Sequence, residues 1–273
     1  MRIAIVGGGL GGATMANALI ELPNFTVDVF EAAAEFSERG AAVGLSIIAQ
    51  LALDRVMTSG AKKTLDAAGG VAVASSRAMI GSGPKAGTVI LDLAGGDPTI
   101  VVHRAALLRE LFVPIPASAL HASKKLRDIV ATPSGVELAF EDGTTDTFDV
   151  VVGADGIFGS VRKFVLQGDA DKHKATPAGF WDSRNLVPIE KAKEKLGEEY
   201  FKEPRQYMWC GDGGIVLHDE LNDGKVVQCI VSCVEPNPTE NRKVHLNRGV
   251  LEKVLAKWQD GPIGKGIIDV GIS

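Results

Sequence analysis

The sequence predicts an α/β fold, a parallel-sheet domain opened by a βαβ unit and interrupted by β-rich material. Three observations predict it. An apolar run at residues 2–6 leads through Gly7-Gly8-Gly9-Leu10-Gly11-Gly12 towards a second strand-like run at residues 26–30. Strand-like pieces outnumber helical ones at residues 71–93 and again beyond residue 179. A third apolar strand, at residues 144–152, ends in Gly153-Ala154-Asp155-Gly156.

Residues 2–6 are apolar and β-branched, as suits a strand buried on both faces. Residues 13–22 place apolar side chains at helical spacing and stop at Pro23-Asn24, and residues 26–30 alternate as a strand. Strand, glycine turn, helix and strand within about 30 residues make a βαβ unit. Residues 39–44 read as a glycine/alanine loop and residues 45–59 as a helix. Residues 71–80 and 88–93 read as strands around a turn-rich stretch, and residues 104–112 as a helix. Residues 136–140 and 144–152 alternate on either side of Asp142-Gly143, the signature of a hairpin. The second of these strands becomes continuously apolar at residues 150–152, which predicts deep burial of its end. Beyond it, residues 191–200 read as a charged helix, and residues 214–218 and 225–234 as strands joined by a turn at Asn222-Asp223-Gly224. A proline-rich loop at residues 235–240 and a helix at residues 250–258 follow.

The 273 residues are 45% hydrophobic and 23% charged, an ordinary globular composition. A formal net charge of −5 argues against a general nucleic-acid or anionic-membrane surface. Cys210, Cys229 and Cys233 form neither a CxxC pair nor a zinc spacing, so reduced thiols are expected rather than a disulfide framework or a metal site. No apolar run reaches the ~18 residues of a membrane span, and three consecutive glycines interrupt the N-terminal apolar stretch. A cytoplasmic protein without membrane partners is expected. Residues 44–48 lack the closing glycine of GxSxG and no P-loop occurs, so hydrolase and NTPase readings fall away.

The spacing Gly7-x-Gly9-x-x-Gly12, after a strand and opening a helix, is a dinucleotide fingerprint. The first glycine permits the tight turn, the second lets the backbone approach a pyrophosphate, and the third lets helix and strand pack closely. The helix N-terminus offers free N–H groups and partial positive charge to the phosphates. Glu31 follows Gly12 by 19 residues, near the ~20 expected for a carboxylate on the ribose. That acid opposes a 2′-phosphate, leaving NAD and FAD as the dinucleotides for this site.

Three downstream stretches resemble the flavin-dependent aromatic hydroxylases, the group that includes salicylate and para-hydroxybenzoate hydroxylases. Val102-His103-Arg104-Ala105-Ala106-Leu107-Leu108 is similar to the family segment in which an arginine opening a helix contacts the flavin cofactor, which assigns that role to Arg104. Asp149-Val150-Val151-Val152-Gly153-Ala154-Asp155-Gly156-Ile157, followed by Ser160 and Arg162, resembles the family's second fingerprint, which sets Asp155 and Gly156 against the ribose and pyrophosphate. Residues 39–44 resemble the loop that passes the flavin, with Arg39 and Gly44 as contacts.

The resemblance implies a Rossmann-like FAD-binding domain (residues 1–70 and 94–175) with an inserted β-rich substrate domain (residues 71–93 and 176–273). It also implies an FAD-dependent monooxygenase that uses NADPH or NADH and O2 to hydroxylate an aromatic or related secondary-metabolite substrate. Arg184, where some relatives carry a substrate-activating arginine, is a catalytic candidate because a nearby cation lowers a phenol's pKa. His218, where relatives often carry tyrosine, is a second candidate as an acid or base near neutral pH.

The family's third fingerprint, Gly-Asp leading into a long helix, finds no match. Gly211-Asp212-Gly213-Gly214 precedes a strand, and Gly168-Asp169 lacks the context. The resemblance therefore implies that the C-terminal part is missing and that FAD is held more weakly. Two alternatives stay open: an NAD-linked oxidoreductase, and a catalytically impaired homologue acting as a binding partner.

Overall fold

The computed structural model describes residues 1–37, 42–235 and 246–272, apart from the side chains of residues 74, 94 and 96. The chain forms two compact units. One takes in the chain through the second strand, then Gln50–Ala68 and Arg104–Thr176; the other takes in Gly69–His103 and the chain from Pro177 onward, with the short strand at Ala42–Leu45.

The first unit is centred on a four-stranded sheet of β1 (Arg2–Val6), β2 (Thr26–Phe30), β6 (Leu120–His121) and β10 (Val150–Gly153), in the order β10-β1-β2-β6 with every pairing parallel. Ile3 to Val6 are all buried, as a strand covered on both faces requires. Helix α1 (Leu10–Ile20) makes the crossover from β1 to β2 and packs on α4 (Arg104–Phe112). The buried Asn17 amide joins these two helices by donating to the carbonyl of Leu111 at 2.7 Å. Helix α3 (Ala61–Ala67) also packs on α4. An antiparallel sheet of β7 (Leu126–Thr132), β8 (Gly135–Phe140) and β9 (Thr145–Phe148) shares an apolar core with β1 and with α5 (Ser160–Leu166).

The second unit is a seven-stranded sheet in the order β11-β14-β13-β12-β4-β5-β3. Its strands are β3 (Ala42–Leu45), β4 (Val71–Ile80), β5 (Val89–His103), β11 (Phe180–Pro188), β12 (Gln206–Gly211), β13 (Gly214–Leu221) and β14 (Val226–Val234). Pairing is antiparallel except between β4 and β12. One face carries Val187, Tyr207, Trp209, Val216, Val227, Cys229 and Val231, packed against α6 (Ile189–Leu196), α7 (Arg248–Val254) and α8 (Gly264–Gly271). The opposite face carries polar side chains, described below. Helix α2 (Ile47–Val56) links β3 to the first unit's segment.

Several elements differ from expectation. Helix α1 begins at Leu10 rather than Ala13, because Gly9 is its N-cap and the glycine stretch supplies its first turn. Residues 42–45 extend as a strand against the end of β5, not as a loop. The predicted second strand of the hairpin breaks at Asp149. Its first half stays antiparallel to β8, while Val150–Gly153 joins β1 in parallel. Asp149 fixes the switch by accepting the Arg2 N–H at 2.7 Å. Strand β5 continues to His103 rather than ending near residue 93, so the compact units divide between His103 and Arg104 where the sequence placed the division at residue 94. Helix α8 was not foreseen: its Gly-Lys-Gly start is weak by propensity, but a Cβ on Gly266 would lie 1.8 Å from the Lys195 carbonyl oxygen, so glycine lets it approach α6. Among the described residues no helix is long and apolar enough to cross a membrane.

Candidate active site

In the first unit, the ends of β1, β2 and β10 open onto a cavity of about 370 Å³ lined in part by Gly7, Gly9, Glu31, Asp155 and Gly156. The chain turns sharply here because Gly7 sits at φ +113°, where a Cβ would meet the Ala154 carbonyl oxygen at 2.3 Å. Gly12 lies behind the turn, and a Cβ there would be 1.9 Å from the Gly7 carbonyl oxygen. No side chain caps α1 and no acid stands in its first turn, so its N–H groups and positive end remain available to an anion.

Both candidate carboxylates are held by backbone donors. Glu31 accepts the Gly8 N–H through Oε2 and the Ala33 N–H through Oε1, each at 2.8 Å. Asp155 accepts the Val161 N–H at 3.1 Å in the first turn of α5. Gly159 must lack a side chain, since a Cβ would sit 2.0 Å from Asp155 Oδ1. Each carboxylate keeps lone pairs for further donors. The donor set fits a dinucleotide: an uncapped helix end for the pyrophosphate and oriented acceptors for ribose hydroxyls.

Two charged cavity residues escaped sequence reading, Lys124 and Lys125. Lys124 donates to Asp142 at 2.6 Å and to Thr144 at 2.8 Å; its bond to Asp142, with those Asp142 accepts from the Thr144 hydroxyl and N–H, holds the Asp142 carboxyl far below its ordinary range. Lys125 pairs with Glu141 at 2.8 Å. Only the adjacent lysines ahead of an alternating strand could have signalled them. Arg104 stands at the first position of α4, half-buried, and is not among the residues lining this cavity. Gly44 lies on β3 in the second unit, and Arg39 lies outside the described residues.

A second cavity, of about 220 Å³, lies on the polar face of the seven-stranded sheet and is lined in part by Gly44, Arg184, Gln206, Asp219, Gln228 and Ile230. Arg184 is partly exposed and contacts Asp182 at 3.4 Å, while Ser232 donates to Asp182 at 2.6 Å. Asp219 is 3% exposed. It accepts from Gln206 Nε2 at 2.9 Å and from Gln228 Nε2 at 3.5 Å. Burial pushes its carboxyl pKa up, outweighing the two amide bonds that lower it. Sequence reading missed Asp219 because His-Asp-Glu-Leu near a turn resembles a solvated strand end.

His218 corrects an expectation. Its ring is 1% exposed, stacks on Tyr207 with centroids 5.0 Å apart, and accepts from Trp209 Nε1 at 3.2 Å. Burial pushes its pKa down to about 3, so the imidazole is neutral. Side chains alternate along β13, so His218 enters the helix-covered core while Asp219 faces the cavity. An acid–base role for His218 near neutral pH is not available in this arrangement.

No family model matches the chain. Over 84% of its length it is 34% identical to 6-methylsalicylate 1-monooxygenase of Aspergillus terreus, aligning with 53% of that protein. Over 88% it is 30% identical to salicylate hydroxylase of Pseudomonas putida, aligning with 57% of that protein. Its fold is that of Klebsiella pneumoniae HpxO, solved with FAD and uric acid, at a TM-score of 0.77 and 20% identity over 99% of this chain and 65% of that one. The chain thus spans little more than half the length of these curated relatives.

Proposed function

Because this chain is a homologue of the FAD-dependent aromatic monooxygenases, we propose that it is itself an FAD-dependent monooxygenase acting on an aromatic or related secondary-metabolite substrate with NADPH or NADH and O2. One observation supports this reading above the others: Gly7, Gly9, Glu31, Asp155 and Gly156, from three separate stretches of sequence, line one cavity.

In this reading the N–H groups opening α1 take the pyrophosphate, Glu31 the ribose, and Asp155 with Gly156 the adjoining segment. Arg104 supplies a multidentate cation for phosphate or ribityl oxygens. When bound, FAD supplies the redox and oxygen chemistry. The protein's part is to orient the substrate, exclude water and favour the ionised form of a phenol. The first unit is the cofactor domain and the second, which includes residues 94–103, the substrate domain, with Arg184 beside the substrate as the cation that lowers a phenol's pKa. Three free cysteines fit a cytoplasmic location.

The purified chain, incubated with FAD and desalted, should retain the flavin absorbance bands. Asp155→Ala and Glu31→Ala should lose them, and NADPH consumption should rise when a suitable phenol is added. A protein that stays colourless with excess FAD would overturn the reading. If it retains NAD instead, the NAD-linked alternative stands, since Glu31 suits either ribose.

A further inference from the structure

Strand register places Ser76, Gln206, Asp219 and Gln228 in one row across β4, β12, β13 and β14, on the face opposite the helices. All four line the cavity of about 220 Å³, and Asp219 and Gln228 are buried there as polar groups on a sheet whose other face is apolar core. The orientation of Gln228 is fixed. Its Oε1 accepts the Ala42 N–H at 2.8 Å, so its NH2 group points to Asp219. Gln206 donates to the other oxygen of the same carboxyl group. Each Asp219 oxygen therefore receives one donor and retains acceptor capacity. Among the described residues no lysine, arginine or histidine forms an ion pair with it.

Arg184 lies on the same face, two strands away and two residues along, over Ile230. At ~4.8 Å per strand and ~3.4 Å per residue this puts the two Cα positions roughly 12 Å apart. Arg184, Asp219 and Ile230 line one cavity of about 220 Å³, a volume that admits a single ring.

We propose that Asp219 is a specificity-determining residue of this protein, its carboxylate accepting a hydrogen bond from a further hydroxyl or amino group of a ring substrate whose anionic group, phenolate or carboxylate, faces Arg184. The proposal rests on the reading of this cavity as the substrate site and goes beyond it by assigning the group that selects the ring substituent.

The test measures dissociation constants of benzoate, 3-hydroxybenzoate and 4-hydroxybenzoate for the full chain with FAD present, by calorimetry, in the wild type, Asp219→Asn and Arg184→Gln. The wild type should prefer at least one hydroxylated probe over benzoate by about ten- to hundredfold, the worth of one hydrogen bond to a charged acceptor. Asp219→Asn should collapse that preference with benzoate affinity kept, and Arg184→Gln should weaken all three probes together. Equal wild-type affinity for benzoate and both hydroxylated probes overturns the proposal without any variant and leaves the cavity reading intact. A preference that persists in a folded Asp219→Asn protein also overturns the proposal alone. Failure of every probe to bind the wild type overturns both.

Discussion

His218 and Asp219 are neighbours in sequence with opposite environments, and each makes stability depend on pH in its own direction. The His218 pKa is pushed from 6.5 to about 3 by burial. As pH falls below 6.5 the unfolded chain binds this proton and the folded chain does not, so stability is lost progressively from pH 6.5 down towards 3. At pH 5 the loss from this one group is about 2 kcal/mol. In His218→Gln, the slope of melting temperature against pH across that window should therefore be shallower than in the wild type. Asp219 runs the other way. Its folded pKa is raised, so its contribution is greatest below the ordinary value of 3.8 and is lost as pH rises through the folded value. Asp219→Asn should raise the melting temperature at pH 7, and the gain should vanish below pH 4; a gain that is unchanged at acid pH would show that the carboxyl is not destabilised by burial. Gly12 makes the third residue-scale prediction. A Cβ there would lie 1.9 Å from backbone oxygen, so Gly12→Ala must push α1 off the turn. It should cost about 1–3 kcal/mol and abolish flavin retention, read by urea unfolding and by absorbance.

At the scale of elements, the C-terminal helices are joined to the sheet through Trp258. Its ring is fully buried, and Cβ atoms on Gly81 and Gly211 would meet it at 2.2 and 2.4 Å. Its Nε1 donates to the Asp212 carbonyl at 3.0 Å. Trp258→Ala leaves a ring-sized cavity between β4, β12 and the helices, and should cost about 3–5 kcal/mol in urea unfolding. The strand elements show how far local pattern reaches. Val71–Ile80 and Arg104–Phe112 were legible to the residue, since alternation and helical spacing are local properties. The break at Asp149 was not, because it depends on the bond from Arg2, 147 positions away.

At the scale of the molecule, the two units carry separate reporters. All three tryptophans, Trp181, Trp209 and Trp258, belong to the second unit, whereas the cavity beside the glycine turn is lined by the first. FAD at a hundred times its dissociation constant should stabilise the unit that holds it by about 2.7 kcal/mol, measured by circular dichroism during urea titration. Absence of any shift would mean that the folded first unit does not bind FAD.

The sequence by itself determined the glycine turn, the acid at its far strand, the apolar strand ending in Gly153-Ala154-Asp155-Gly156 and the order of these parts. These are features of a few consecutive residues, where a backbone angle, a missing Cβ or a helix start leaves a local mark. Tertiary structure decided which of His218 and Asp219 faces a cavity, where β5 ends and one unit gives way to the other, and that Gln206, Asp219 and Gln228 form one row. Those outcomes follow from strand register, and a shift of one residue would exchange the two faces of every strand. Register is set by pairing between segments distant in sequence, which no short window of residues records.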